Sequence, residues 1–403
     1  MPRKKLPRKT IGVGEVQIHD LEKKYVNDVL NNNRLSHGYY SDRFERAFAR
    51  AHKCKYAFFT NSGTSALQVG LHAMKIKYGW QDGAQVLVPA VTFVASVNTI
   101  LQNNLTPVLV DVEADHYNID PSLIEAKITA RTVAIMPVHL CGNPCHMDPI
   151  MHLKKKYQLK MIEDSCETMF ARVGHQPVGS FGEVGCFSTY AAHVLVTGVG
   201  GFSTTSDDEL AVLMKSLYNH GRDGIYTYID DTKKASLRQL FSIVSRRFNF
   251  IHQGYSYRAT ELEAALGLGQ MRRWRQIIRR RKQVARRLTS GLRNLAHYLQ
   301  LPTIRKNHEH IFMMYPLVVK NGVDRDDLIL YLEKNGVETR PLLPLTNQPI
   351  YVQIWGGIEG KYPVAKHLNQ HAFYVGSHPY LTDQDVDYII HTFQDYFKQG
   401  KLF

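Results

Sequence analysis

Three segments of this chain carry residues whose types and spacing could do chemistry. Asn61-Ser62-Gly63-Thr64-Ser65-Ala66 stands between an apolar strand and a helical pattern, so its backbone N–H groups and the Thr64 hydroxyl would face an anion at a positive helix end. Such a turn can seat a phosphate, although small polar residues at strand-to-helix turns also serve as simple caps. Met161-Ile162-Glu163-Asp164 ends an apolar strand in an acid. An ionised Asp164 facing a ring nitrogen would keep that nitrogen protonated, as an electron-sink cofactor requires; the plain alternative is a capping or salt-bridged aspartate. Arg340, within Glu338-Thr339-Arg340-Pro341, offers a guanidinium that can fork onto a carboxylate or phosphate, or close an inter-domain salt bridge.

The elements that must position these residues follow from periodicity. From about residue 20 to 270, helical segments alternate with short apolar strands, which implies an α/β fold with a mainly parallel sheet. The expected strands are Tyr56–Thr60, Gln85–Pro89, Pro107–Val112, Thr132–Val138, Lys160–Asp164 and Gly185–Ser188. Their carboxyl ends run into Asn61–Thr64, Ala90–Phe93, His139–Pro144, Asp164–Glu167 and Thr189–His193, and ligands gather at that edge of open α/β sheets. Glu261–Leu292 reads as one long helix leading out of the large unit, and the strand and helices that follow form a smaller α+β unit. The expected division is an amino-terminal arm over 1–17, a large cofactor-binding domain over 18–275 and a small domain over 276–403.

Composition sets the outer bounds. With 403 residues, 44% hydrophobic and 21% charged, the chain is globular. No apolar run is long enough to span a bilayer, and the basic start MPRKKLPRK is not followed by a signal core, so no membrane partner and a cytoplasmic location are expected. Cys54, Cys141, Cys145, Cys166 and Cys186 are odd in number and scattered, which argues for reduced packing thiols and no metal site. The net charge of +14 could attract phosphorylated ligands or nucleic acid. Its densest run, Arg272–Arg287, has apolar residues at helical spacing and reads as a helix with a solvated basic face, and no nucleic-acid-binding motif accompanies it.

The motifs, in order, resemble the DegT/DnrJ/EryC1/StrS family of sugar aminotransferases and dehydratases, which use pyridoxal phosphate. The resemblance runs through Asn61-Ser-Gly-Thr-Ser-Ala, Val88-Pro-Ala-Val-Thr-Phe-Val-Ala, Val138-His-Leu-Cys-Gly-Asn-Pro, Glu163-Asp164, Gly185-Cys-Phe-Ser, Gly254-Tyr-Ser-Tyr-Arg-Ala-Thr-Glu and Glu338-Thr-Arg-Pro. It implies an aspartate-aminotransferase-like fold (type I) in a homodimer with shared active sites. It further implies that Asp164 contacts the pyridine nitrogen, that Phe93 stacks on the ring, and that Gly63, Thr64 and Ser188 hold the phosphate. The Gly254–Arg258 loop would reach the neighbour's cofactor, with Ser256 where the family usually has asparagine.

The largest departure from the family is His193. The aminotransferases carry, five residues after the position of Ser188, the lysine that joins the cofactor covalently; here Ser188-Thr-Tyr-Ala-Ala-His193 puts an imidazole there, and no lysine occurs between Lys160 and Lys215. Imidazole cannot make that bond but can move protons near neutral pH. The substitution resembles the family's 3-dehydratase branch, as do Gly142-Asn143-Pro144 and Glu167, a position where aminotransferases often have Gln or His. That branch also suggests His220 as a second active-site imidazole. His220-Gly-Arg-Asp-Gly-Ile-Tyr226 is followed by no cysteine, so no iron–sulfur cluster is expected. The resulting expectation is a pyridoxamine- or pyridoxal-phosphate-dependent 3-dehydratase with His193 and His220 as catalytic residues, Arg340 on substrate, a nucleotide-diphosphate keto sugar as substrate, and glutamate or a similar amino donor. A sugar aminotransferase and an inactive cofactor-binding scaffold are the alternatives.

Overall fold

The alternation of strands and helices resolves into a seven-stranded sheet in the computed structural model, which describes residues 10–223, 236–246, 248–343 and 345–398. The first nine residues of the expected arm, and Gly224-Ile225-Tyr226, lie outside the described residues. The strands of the larger unit are β1 (Tyr56–Thr60), β2 (Gln85–Pro89), β3 (Thr106–Val110), β4 (Thr132–Ile135), β5 (Lys160–Asp164), the short hairpin β6 (Arg172–Val173) and β7 (Gln176–Pro177), β8 (Val184–Ser188) and β9 (Gly201–Thr205). The sheet runs β1-β9-β8-β5-β4-β2-β3, parallel from β8 to β3. Strands such as β2 and β8 are buried at every residue, as a parallel sheet covered on both faces requires.

The one strand of the seven-stranded sheet that periodicity did not announce is β9, antiparallel to both β1 and β8. Its sequence, Gly-Phe-Ser-Thr-Thr, is too polar to read as a core strand. Burial is permitted because each hydroxyl finds a carbonyl: Ser203 donates to Ala66 O at 3.0 Å, Thr204 to Gly179 O at 3.1 Å and Thr205 to Glu183 O at 2.7 Å.

The smaller unit is a four-stranded antiparallel sheet, β10 (Leu299–Gln300), β11 (Met314–Val319), β12 (Thr339–Pro341) and β13 (Ala372–Gly376), in the order β10-β11-β13-β12. The helices Arg325–Lys334 and Asp383–Lys398 pack with it. The expected single helix over 261–292 is instead two, Glu261–Met271 and Trp274–Leu292. The chain breaks at Arg273, whose φ of −122° leaves the helical region and whose guanidinium is drawn to Glu22 at 2.9 Å. Trp274–Leu292 then feeds two cores, placing Ile277 and Ile278 in the larger hydrophobic cluster and Val284, Ala285 and Leu288 in the smaller. Its basic face is solvated at Arg275, Arg279, Arg286 and Arg287, but Arg281 is buried, against the expectation of a wholly solvated face. Among the described residues no helix is long and apolar enough to cross a membrane.

Candidate active site

The carboxyl edge of the large sheet is assembled from three loops in contact. Ser62 caps the Gly63–Tyr78 helix by accepting from the Ser65 N–H at 3.0 Å, and the Ser65 hydroxyl donates to Asn61 Oδ1 at 2.6 Å. Those side chains are turned to local bonds while Thr64 stays exposed at the helix start, where N–H groups lack helical partners. A Cβ on Gly63 would stand 2.8 Å from Ser188 Cβ and 2.9 Å from Cys166 Sγ. The turn after β1, the end of β8 and the loop after β5 therefore touch, and no larger residue fits at position 63.

Asp164 ends β5 with 4% of its surface exposed. Its carboxylate accepts from the Ser96 hydroxyl at 2.6 Å and from the Cys166 N–H at 3.1 Å, and Ser96 is in turn 2.7 Å from the Thr92 hydroxyl. That chain of bonds lays the Thr92–Ser96 turn against the acid. Phe93, the N-cap of the Val94–Gln102 helix, sits in this turn and is 56% exposed, an open aromatic ring of the kind a stacked ligand covers. Glu163, on the opposite side of the strand, serves the fold: it is fully buried and accepts from the N–H groups of Gly179, Phe181 and Gly182.

Glu167 is buried beyond Asp164 and accepts from the Cys141 N–H at 2.7 Å. Burial raises its carboxyl to about 7; the Cys141 N–H opposes the rise and the charge of Asp164 adds to it. Cys141 holds a left-handed φ of +56°, a conformation usually left to glycine, to present that N–H.

After Ser188 the chain makes a tight loop that carries His193. His193 N donates to Tyr190 O at 2.9 Å, Thr197 N to Thr189 O at 2.9 Å, and Val196 N to Gln270 Oε1 at 2.9 Å, which pins the loop to the Glu261–Met271 helix. The amino-terminal arm lies on the same loop: a Cβ on Gly14 would be 3.0 Å from Ala192 Cα. The His193 ring is half-buried, and its Nδ1 is buried with no hydrogen-bond partner among the described residues. Burial, then the positive charge of Arg281, push its pKa down to about 4, so that it is neutral at neutral pH and not the ordinary imidazole the sequence suggested.

His220 and Ser256 are brought to each other's neighbourhood. His220 Nε2 lies 3.3 Å from Arg258 Nη2, Ser256 pairs with Asn219, and Asn61 N donates to Tyr257 O at 2.8 Å, so this loop abuts the turn after β1. Among the described residues, no hydrogen bond or ring contact joins His220 or Ser256 to His193, Asp164 or Glu167. Arg340 donates to Thr339 O at 2.7 Å and pairs with Glu338, which also accepts from Val13 N at 2.7 Å. Its salt bridge thus lies within the short Glu338–Arg340 segment and does not join two domains. Cys141, Cys145 and Cys186 are buried free thiols, and among the described residues no group of three or more His, Cys, Asp or Glu side chains is placed to hold a metal. Sequence reasoning missed Thr92 and Ser96; their signal was hydroxyls one helical turn apart flanking Phe93.

An acid for a ring nitrogen, an open aromatic ring, and a glycine-tight turn at a helix start fit the pyridine ring and phosphate of pyridoxal phosphate. Fold and site together define a pyridoxal-phosphate enzyme of the aminotransferase-like fold. Residues 16–394 match the model of the DegT/DnrJ/EryC1/StrS aminotransferase family. The GDP-perosamine synthase of Caulobacter vibrioides is 33% identical over 96% of this chain and 97% of its own length. The GDP-4-keto-6-deoxy-D-mannose 3-dehydratase of Escherichia coli O55:H7 is 26% identical over 92% of this chain and 96% of its own. The solved structure of the E. coli GDP-4-keto-6-deoxy-D-mannose-3-dehydratase with bound hydrated PLP, at 24% identity, shares the fold with a TM-score of 0.85 over 96% of this chain and 100% of that one. The chain belongs to the DegT/DnrJ/EryC1/StrS aminotransferase family, and is a pyridoxal- or pyridoxamine-phosphate enzyme that modifies sugars.

Proposed function

We propose that this enzyme removes the C3 hydroxyl of a nucleotide-linked 4-keto-6-deoxy sugar, working as a homodimer. The observation that carries the reading is a neutral imidazole, His193, on the loop after β8, where the family's transferases have a lysine, beside residues that otherwise suit the cofactor. When bound, pyridoxamine phosphate supplies the amine that joins the sugar carbonyl and the two electrons that replace the lost hydroxyl, and an amino donor such as glutamate restores it while becoming the 2-oxo acid. Gly63, Thr64 and Ser188 would hold its phosphate, Asp164 its ring nitrogen and Phe93 its face. His193, being neutral, can accept a proton at a ring nitrogen and pass it to the departing hydroxyl, which leaves as water. Without lysine, the chain has no amine at that position to capture the cofactor between turnovers.

Identity to the GDP-perosamine synthase favours a second reading, transfer of an amino group to the sugar. The two separate in one experiment. Purified enzyme is given pyridoxamine phosphate, 15N-glutamate and GDP-4-keto-6-deoxymannose. A 3-deoxy sugar with 15N-ammonia in solution is the expected result; label retained on the sugar overturns the dehydratase reading.

A further inference from the structure

Arg281 is the one member of the basic run that is fully buried, at 2% exposure, and its surroundings are unusual for a guanidinium. Buried cations generally meet a carboxylate. Here no carboxylate among the described residues pairs with it, and four backbone carbonyls do the work. Nη1 donates to Met313 O at 2.7 Å, Ser377 O at 3.2 Å and Phe312 O at 3.4 Å, all at the ends of β11 and β13. Nη2 donates to the carbonyl of His193 at 3.0 Å. The helix that presents this fork contributes to both hydrophobic cores, so its position is set from two sides.

We propose that Arg281 is the positioning residue of His193, tying the loop that carries the imidazole to the strand ends of the smaller sheet. This rests on the reading of His193 as the group that moves the proton. A planar guanidinium can serve carbonyls in two directions at once, which a lysine ammonium on its flexible stem cannot reproduce. The same cation also acts on the ring as a fixed charge. Arg281 is pushed down by burial only to about 10, so it stays charged at neutral pH and opposes protonation of the neighbouring imidazole. Among the described residues Tyr190 faces the ring edge-on at 6.2 Å, and Tyr380 faces Arg281. One residue thereby fixes where His193 sits and adds its charge to the burial that keeps the ring neutral.

The test reads the His193 imidazole directly by NMR titration of histidine-labelled protein, assigned by the signal lost in His193→Gln. Wild type, Arg281→Met and Arg281→Lys are compared, together with kcat and KM for the sugar. In Arg281→Met the His193 proton affinity should rise about tenfold, one pKa unit. In Arg281→Lys, where charge remains but the fork is lost, the titration should stay low while kcat falls at least about tenfold with a smaller change in KM. An unchanged titration in Arg281→Met, or full kcat in Arg281→Lys, overturns the proposal. If Arg281→Met does not fold, Arg281→Lys decides it alone through kcat. The titration needs no turnover, so it is decided whether the enzyme proves to be a dehydratase or a transferase.

Discussion

Ser96 gives its hydroxyl hydrogen to Asp164 Oδ2 at 2.6 Å, and this bond joins the turn that bears Phe93 to the acid at the end of β5. Asp164 is nearly enclosed, so the bond has no ready substitute from water. Ser96→Ala should weaken the fold by about 1–3 kcal/mol in chemical denaturation, the range for a hydrogen bond to a buried charge. Cofactor affinity, followed by fluorescence titration, should drop in the same variant because both Phe93 and Asp164 lose their mutual brace. Unaltered stability and affinity would mean that the two elements are positioned independently.

Glu167 should make the protein weaker as the medium becomes more alkaline. Its carboxyl is raised in the fold from 4.5 to about 7, so its stabilising contribution is fully present below pH 4.5 and is lost as pH rises through 7. The difference of about 2.5 units corresponds to about 3 kcal/mol. Glu167→Gln cannot ionise, so relative to wild type its denaturation midpoint should climb between pH 4.5 and 8. A constant offset across that range would show that Glu167 ionises normally.

Acid should act most strongly through three histidines. His52 and His310 are pushed down to about 3 and His193 to about 4, in each case first by burial. Their stabilising contribution is present above pH 6.5 and is lost as pH falls through the folded values, because only the unfolded chain takes up the proton. Each adds a slope of about 1.4 kcal/mol per pH unit near pH 5. His52→Gln, measured by urea denaturation from pH 7 to 4.5, should shed one such increment; an unchanged slope would show that His52 is already protonated in the fold.

His193 itself separates cofactor binding from chemistry. His193→Gln should retain the cofactor within a few-fold while dehydration slows by about a hundredfold or more, the usual contribution of a general base. His193→Lys should gain the absorbance band of covalently joined pyridoxal phosphate. Failure of both variants to take up the cofactor would show that the imidazole is needed to build the site and not only to move protons.

The sequence by itself was enough for the parallel strands, for the edge at which Asn61–Thr64, Phe93, Asp164 and His193 collect, and for the family. These depend on periodicity and on short motifs, which contiguous residues encode. Only the tertiary structure decided what surrounds them. The polar strand β9 is stable because distant carbonyls receive its hydroxyls, Arg340 is held by Glu338, which the arm also engages, and Arg273 breaks a helix in reaching Glu22. His193 and Arg281 are 88 residues apart, and Ser96 and Asp164 are 68 apart. Burial and the nearness of charge arise from folding between such separated positions, so the neutral imidazole and the cation bonded to its backbone carbonyl could not be read from local pattern.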